Sequence, residues 1–366
     1  MNIAVLVTEL GLKRSYHATI RLARELTNRQ HQVWFLTADD FCLDYTDLLS
    51  VHGRRVPIRA FRNNKTYLQT VCEEAPVEKL SVSKLDVLLL RDNPVRYLDN
   101  RQWARQAVSL FSRFALDEGV LVLNDPGGLS LAQNKLYFQT LPPGVRSKTL
   151  ISRNPQDIKL FAGELTGDMI LKPLQGSGGE GVFLVKKGSN YNFNQLLEAS
   201  MRGGYVIAQE YLPAATEGDI RLFLMNGEPL QKKGKYAAFR RRRQGEDIRS
   251  NMHAGGQVES ATVTPDILAL CARIAPKLKA DGLFLAGLDI VGDKLMEVNV
   301  FCPGGIDSME RLEGVSFSAA ICEELEKKVD YAQSLERKFD NQELATRICC
   351  LKNSIAAPDA SLLEAP

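Results

Sequence analysis

Residues 169–183 read Met-Ile-Leu-Lys-Pro-Leu-Gln-Gly-Ser-Gly-Gly-Glu-Gly-Val-Phe, and this stretch constrains the chain more than any other. An apolar run of β type, Met169 to Leu171, leads into Lys172. A glycine-dense turn follows, then a second apolar run, Val182 to Val185. Glycine admits positive φ and leaves backbone N–H groups uncovered, so such a turn can wrap over phosphate oxygens. Lys172, at the end of the first strand, stands within reach of the same phosphates. The order differs from the GxxxxGK[ST] loop, because the lysine precedes the glycines and no helix obviously follows. The stretch predicts strand, glycine flap, strand, with a plain glycine-rich hairpin turn as the alternative.

The chain has 366 residues and a formal net charge of +2. That length supports two or three packed units. The near-balanced charge gives no global pointer to nucleic acid. No apolar run approaches the ~18 residues of a membrane span. Ile3 to Val7 is short, lacks a basic flank and runs into Thr8-Glu9, so it reads as a first β-strand and not as a signal peptide. The seven cysteines (42, 72, 271, 302, 322, 349, 350) are odd in number and show no CxxC spacing. They favour free thiols in a reducing, cytoplasmic setting. Four scattered histidines argue against a histidine metal site.

In order, Asn2–Thr8 reads as a buried strand, 15–29 as a helix (Tyr16, Ile20, Ala23, Leu26), and Gln32–Leu36 as a strand. Strand, helix, strand implies a parallel sheet. Residues 40–82 are polar and irregular. Leu85–Leu90 is a third strand ending at Arg91-Asp92-Asn93-Pro94, where polar residues can meet a ligand or simply cap a loop. A helix over 100–118 and a strand at 120–123 follow. Asn124-Asp125-Pro126-Gly127-Gly128 marks a domain break. Residues 129–141 read as a helix carrying Lys135, and 148–152 as a strand. Helices follow near 155–164 and 192–201.

Tyr205–Glu210 is a strand that passes into Tyr211-Leu212-Pro213. Apolar side chains and exposed backbone of this kind suit an adenine slot, with Asp219 placed to accept from ribose hydroxyls. Arg221 heads the next strand, and Asn226-Gly227 is a hairpin turn. Residues 232–256 carry the run Arg240 to Arg243 and then Arg249, Asn251 and Gly255-Gly256. They are read as a mobile basic loop over an anionic small molecule, in preference to a nucleic-acid contact. Thr264-Pro265 starts a helix that runs to about Lys279. Phe284 to Asn299 then offers three oxygen ligands, Asp289, Glu297 and Asn299, which suit Mg²⁺ better than Zn²⁺. A polar sheet face is the alternative. If the trio shares a metal, the hairpin loop should hold an odd number of residues, with a bulge.

Taken together, these segments resemble the ATP-grasp ligases, and within them the bacterial-type glutathione synthetases. The resemblance rests on the NDP and NK around 124–135, ILKPLQGSGGEGVF at 170–183, AQEYLPA at 208–214, GDIR at 218–221, NGEP at 226–229, RSNMHAGG at 249–256 and GLDIVGDKLMEVNV at 287–300. It covers about residues 1–330. It implies an α/β ATP-grasp fold: an N-terminal parallel-sheet domain (1–124) and two α+β subdomains (125–204 and 205–330) that sandwich ATP. A C-terminal helix and flexible tail (331–366) would follow.

By that resemblance, Lys135 and Lys172 contact ATP phosphates under a flap of Gly176, Ser177, Gly178, Gly179 and Gly181. Gln209, Glu210, Tyr211 and Leu212 hold adenine, and Asp219 the ribose. Asp289, Glu297 and Asn299 bind two Mg²⁺ ions, with Mn²⁺ as a substitute. Arg221 and Arg249 act in catalysis. Asn251, Gly255, Gly256, Cys302, Pro303, Gly304 and Gly305 meet the substrate. The partners implied are a small-molecule acid and amine, with no nucleic acid and no membrane, and a homo-oligomer is suggested. The reaction implied is ATP-driven joining of γ-glutamylcysteine to glycine through an acyl phosphate; the alternatives are another acid and amine pair, or a non-catalytic ATP-binding module. There are three departures from the family pattern, one being the four arginines at 240–243, which are more basic than the family leads one to expect. The synthetases follow the metal asparagine with Thr-Ser-Pro-Thr, whereas this chain has Val300-Phe301-Cys302-Pro303-Gly304-Gly305. Asn93 stands where they carry an aspartate.

Overall fold

A computed structural model describes residues 1–12, 17–97, 101–174, 181–188, 192–242 and 257–349. The apolar runs read near the start form a parallel sheet in the order Gln32–Leu36, Asn2–Leu6, Val87–Leu90, Leu121–Leu123. Apart from Asn2 and Gln32 at their starts, these strands are apolar because both faces are covered. Helices His17–Asn28 and Gln102–Asp117 flank the sheet. Residues read as irregular supply an antiparallel edge: Phe41–Leu43, Leu49–Arg55 and Val77–Ser81. Polar residues such as His52 and Arg54 hid Leu49–Arg55, and so did Gly53. That glycine is there because a Cβ would lie 3.0 Å from the Trp34 ring.

A second, antiparallel sheet runs Phe183–Val185, Met169–Pro173, Val206–Glu210, Thr149–Ser152. Helices Pro155–Glu164 and Phe193–Met201 cover it, and it has its own small core around Ile158, Leu171 and Val206. The flap hairpin is confirmed by the pairing of Phe183 with Leu171; its tip, 175–180, lies outside the described residues. The third sheet runs Gln257–Ser260, Ala238–Arg242, Asp219–Met225, Leu285–Val291, Lys294–Asn299. Asn226 and Gly227 both have positive φ, as the hairpin reading requires.

Two expectations change. Residues 129–141 are not one helix. A helix ends at Leu131, and Asn134 then caps a separate 3₁₀ turn, Lys135–Thr140, by accepting from the Leu136 N–H. The C-terminal region from 331 onward is likewise not one helix followed by a tail. Helix Phe317–Ser334 stops where Glu336 and Arg337 take positive φ, and Asp340 caps a new helix, Asn341–Thr346. Residues 350–366 lie outside the described residues.

The long C-terminal helix packs back on the first domain. Its Glu326 accepts from Arg29 Nη2 at 2.6 Å and meets His31 Nε2 at 2.7 Å. The bond from Arg29 holds the Glu326 carboxyl at about 2. A depressed folded pKa stabilises the protein above the unfolded value, about 4.3, and that contribution is lost as pH falls toward 2. Because the pair is partly exposed, Glu326→Gln should cost about 1 kcal/mol at pH 7. The cost should shrink at pH 4 in urea unfolding; an equal cost at both pH values would contradict the assignment.

Candidate active site

The strands Leu285–Val291 and Lys294–Asn299 present the oxygen donors. Their turn holds two residues, Gly292 and Asp293, with Val291 paired to Lys294. The odd loop count was therefore wrong. A bulge between Asp289 and Ile290 absorbs Met296, and it is this bulge that sets Asp289 opposite Glu297 and Gly287 opposite Asn299. The three donors share one face.

Asp289 is buried and serves two arginines. Arg221 Nε and Nη2 donate to its two oxygens, the latter at 2.8 Å, and Arg241 Nη2 lies 2.9 Å from Oδ2. Burial works against the charged carboxylate, but the two guanidiniums outweigh it and hold the group below the usual carboxylate range. Asn299 Nδ2 donates to Asp289 Oδ2 at 3.4 Å.

Arg241 was missed in the sequence because it stood inside a run of arginines. Pairing of Asp219 with Arg241 across the strands turns it inward, where its Nε donates to Asp219 Oδ2 at 2.9 Å. Strand alternation sends Arg240 and Arg242 outward, and both pair with Glu259. The basic run is thus neutralised within its own sheet as far as Arg242; Arg243 lies outside the described residues.

A cavity of ≈ 170 Å³ gathers much of the rest. Lys172, Gln209 and Ile207 line it from the second sheet, and Glu297, Asn299 and Arg221 from the third. Lys135 comes from the 3₁₀ turn, and Cys302, Pro303 and Gly304 close one end beside Asn93. The Lys172 Nζ donates to Gln209 Oε1 at 2.8 Å. Burial drives Lys172 down to about 8, and Glu297 opposes the fall. Lys135 is lowered for the same reason, again opposed by Glu297. Two desolvated ammoniums facing one carboxylate make a site ready for an anion.

Other candidate residues stand apart from that cavity. Asp219 is buried against Arg241 and does not line it. Glu210, Tyr211 and Leu212 are also off its wall. The Glu210 and Tyr211 N–H groups already donate to Lys148 O and Asp168 O at 2.9 Å. Gly181 has a φ of +69° at the edge of the flap. Gly305, with a φ of +116°, starts helix Ile306–Glu313 against the Phe239 ring, where a Cβ has no room. Gly176, Ser177, Gly178, Gly179, Arg249, Asn251, Gly255 and Gly256 lie outside the described residues. Two groups that the sequence reading named only within longer segments take defined partners. Asn124 grips Leu285 and Val300 through its amide. Asp92 is buried beside the Tyr97 hydroxyl, and burial raises its carboxyl to about 6.

Among the described residues, no group of three His, Cys, Asp or Glu side chains is placed to hold a metal. The donor trio here is two carboxylates and an amide. Its hard oxygen chemistry fits a divalent cation of the Mg²⁺ kind at Glu297 and Asn299, with Asp289 shared between that cation and its arginines. All six described cysteines in this chain are free thiols. No helix of the described residues is long and apolar enough to cross a membrane.

Comparison with known proteins agrees with this layout. Residues 1–130 match the family described as prokaryotic glutathione synthetase, N-terminal domain. Residues 134–314 match prokaryotic glutathione synthetase, ATP-grasp domain. The chain is 32% identical to a glutathione synthetase of Synechococcus elongatus over 328 residues, covering 86% of this chain and 95% of that protein. It is 35% identical to one of Brucella melitensis over 313 residues, covering 84% and 92%. Two solved structures share the fold at low identity. The ATP-grasp ligase PsnB with a minimal precursor has a TM-score of 0.56 at 18% identity, over 88% of this chain and 97% of that one. The macrocyclase MdnC of Microcystis aeruginosa has 0.57 at 14%, over 89% and 99%. The chain therefore belongs to the prokaryotic glutathione synthetase family and has the ATP-grasp fold.

Proposed function

We propose that the protein is an ATP-dependent carboxylate–amine ligase that joins γ-glutamylcysteine to glycine. The observation that carries this reading is the shared cavity: Lys135, Lys172, Glu297, Asn299 and Arg221 face the same space as Cys302 to Gly304. On this reading residues 125–204 form the lid and 205–330 the core that holds metal. ATP use and a divalent metal are general to the family; two Mg²⁺ ions on Asp289, Glu297 and Asn299 are our assignment. When bound, the metal supplies charge neutralisation at the phosphates.

The residues do the following. Lys135 and Lys172 anchor phosphate oxygens, and Gln209 keeps the Lys172 ammonium aimed. The acid's carboxylate attacks the γ-phosphorus in line, which gives an acyl phosphate and ADP. The amine then displaces phosphate. No side-chain nucleophile is needed, because catalysis is placement plus charge neutralisation. Arg221, held flat against Asp289 by two hydrogen bonds, and Arg249 steady the transferring phosphoryl group.

A second reading is favoured by Val300 to Gly305, which carry no hydroxyl side chain. It is a ligase of the same type for a different acid or amine. ADP release and product mass, measured over a panel of acids and amines, separate the two. The expected result is ADP release that needs both γ-glutamylcysteine and glycine, with one amide formed per ADP. Coupled turnover only with another pair would replace the first reading by the second, and ADP release with no pair would sink both.

A further inference from the structure

Arg91 stands at the carboxyl end of strand Val87–Leu90, and it is 3% exposed. A buried charge ordinarily has a counter-ion. Among the described residues, no carboxylate reaches this one. Arg91 Nε donates to Thr19 Oγ1 at 3.3 Å, and Nη2 donates to the Pro303 carbonyl at 3.2 Å. The neighbouring Asp92 is taken by the Tyr97 hydroxyl. The Cys302 thiol is raised by burial, so it supplies no negative charge near neutral pH.

Pro303 belongs to the wall that closes one end of the cavity. Three side chains from three elements hold that wall by its backbone oxygens. Asn124 donates to Val300 O at 2.6 Å, Arg91 to Pro303 O, and Arg221 to Gly304 O at 3.2 Å. Carbonyl clamps of this kind fix the path of the chain whatever its side chains are. They explain how the segment keeps its place although Val300 to Gly305 carry no hydroxyl side chain. Arg221 has a carboxylate partner in Asp289, and Asn124 is neutral. Arg91 is the one clamp among these three that brings an uncompensated charge.

We infer that Arg91 is a positioning residue for the small-molecule half of the site: it fixes the wall through Pro303, and its charge selects a non-reacting carboxylate on the substrate that rests there. The inference rests on the ligase reading above and adds a substrate preference to it. That carboxylate has two sources, the glutamyl α-carboxylate of the acid or the carboxylate of the amine.

Two arms distinguish these sources. One compares glycine with glycinamide as the amine. The other compares γ-glutamylcysteine with its analogue amidated at the glutamyl α-carboxylate. The wild type should prefer the carboxylate by at least about tenfold in kcat/KM in one arm. Arg91→Gln should bring that ratio near one while the KM for ATP stays within about twofold. Arg91→Lys should restore part of the ratio. A uniform fall in turnover with the ratio kept would show a merely structural role and overturn the inference, as would a wild type with no preference in either arm. If Arg91→Gln does not fold, Thr19→Val loosens the same guanidinium and should raise KM in the same arm only; an unchanged KM there counts against the inference. Calorimetric binding of the same pairs to the ADP-loaded protein reads the preference without turnover. Failure of the ligase reading and failure of this one are thereby told apart.

Discussion

Lys172→Met is expected to lower ATP-dependent turnover at least about a hundredfold and to leave the fold intact. The ammonium lines the cavity on a half-buried side chain, its hydrogen bond goes to Gln209, and its charge is opposed by desolvation. Such a group costs stability in the empty protein and repays it only when phosphate arrives. Methionine matches its length and removes the charge. Melting should therefore hold or rise, while affinity for an ATP analogue collapses. Because burial places Lys172 at about 8, it is charged below that pH and loses its proton above it. The apparent KM for ATP should rise as pH passes upward through 8, and in the methionine variant that dependence should vanish. Turnover within about threefold of wild type would remove Lys172 from the mechanism.

Asp289→Ala should fail differently, by losing stability and activity together. The aspartate neutralises Arg221 and Arg241, and both guanidiniums are buried with it. Removing one partner of a buried ion cluster strands the others, at a cost of about 3–5 kcal/mol. Glu297→Gln is the contrast. Glu297 is only partly buried and faces the two lysines across the cavity, so its loss should abolish coupled ADP release with little change in urea midpoint. Equal stability losses in the two variants would contradict the division of labour between these two acids.

The parallel strands, the flap hairpin, the Asn226-Gly227 turn and the helix start at Thr264 were legible because each rests on local chemistry. Apolar runs, positive φ and cap hydrogen bonds act within a few residues. The edge strands between 41 and 81 were not legible. Two of them bury little, and in Leu49–Arg55 polar residues such as Ser50, His52 and Arg54 break up any apolar pattern. The break between Leu131 and Lys135 was missed because apolar residues recur across it, while Asn134 caps a new turn.

The sequence by itself pointed to the oxygen-donor trio, the two lysines and the glycine flap as candidates and, by their order, to the family. Only the tertiary structure decided which of these meet. The bulge expected in this hairpin falls at Met296 and accompanies a two-residue turn, and it is this placement that turns Glu297 to the side of Asp289. Strand pairing makes Arg241 a buried partner of Asp219 and leaves its neighbours outside. Arg91 reaches Pro303 across 212 residues. Spacing along a chain specifies which face a side chain takes within its own strand. Register and packing between distant strands, driven by burial of the sheets as wholes, decide which charges share a cavity and which cancel one another.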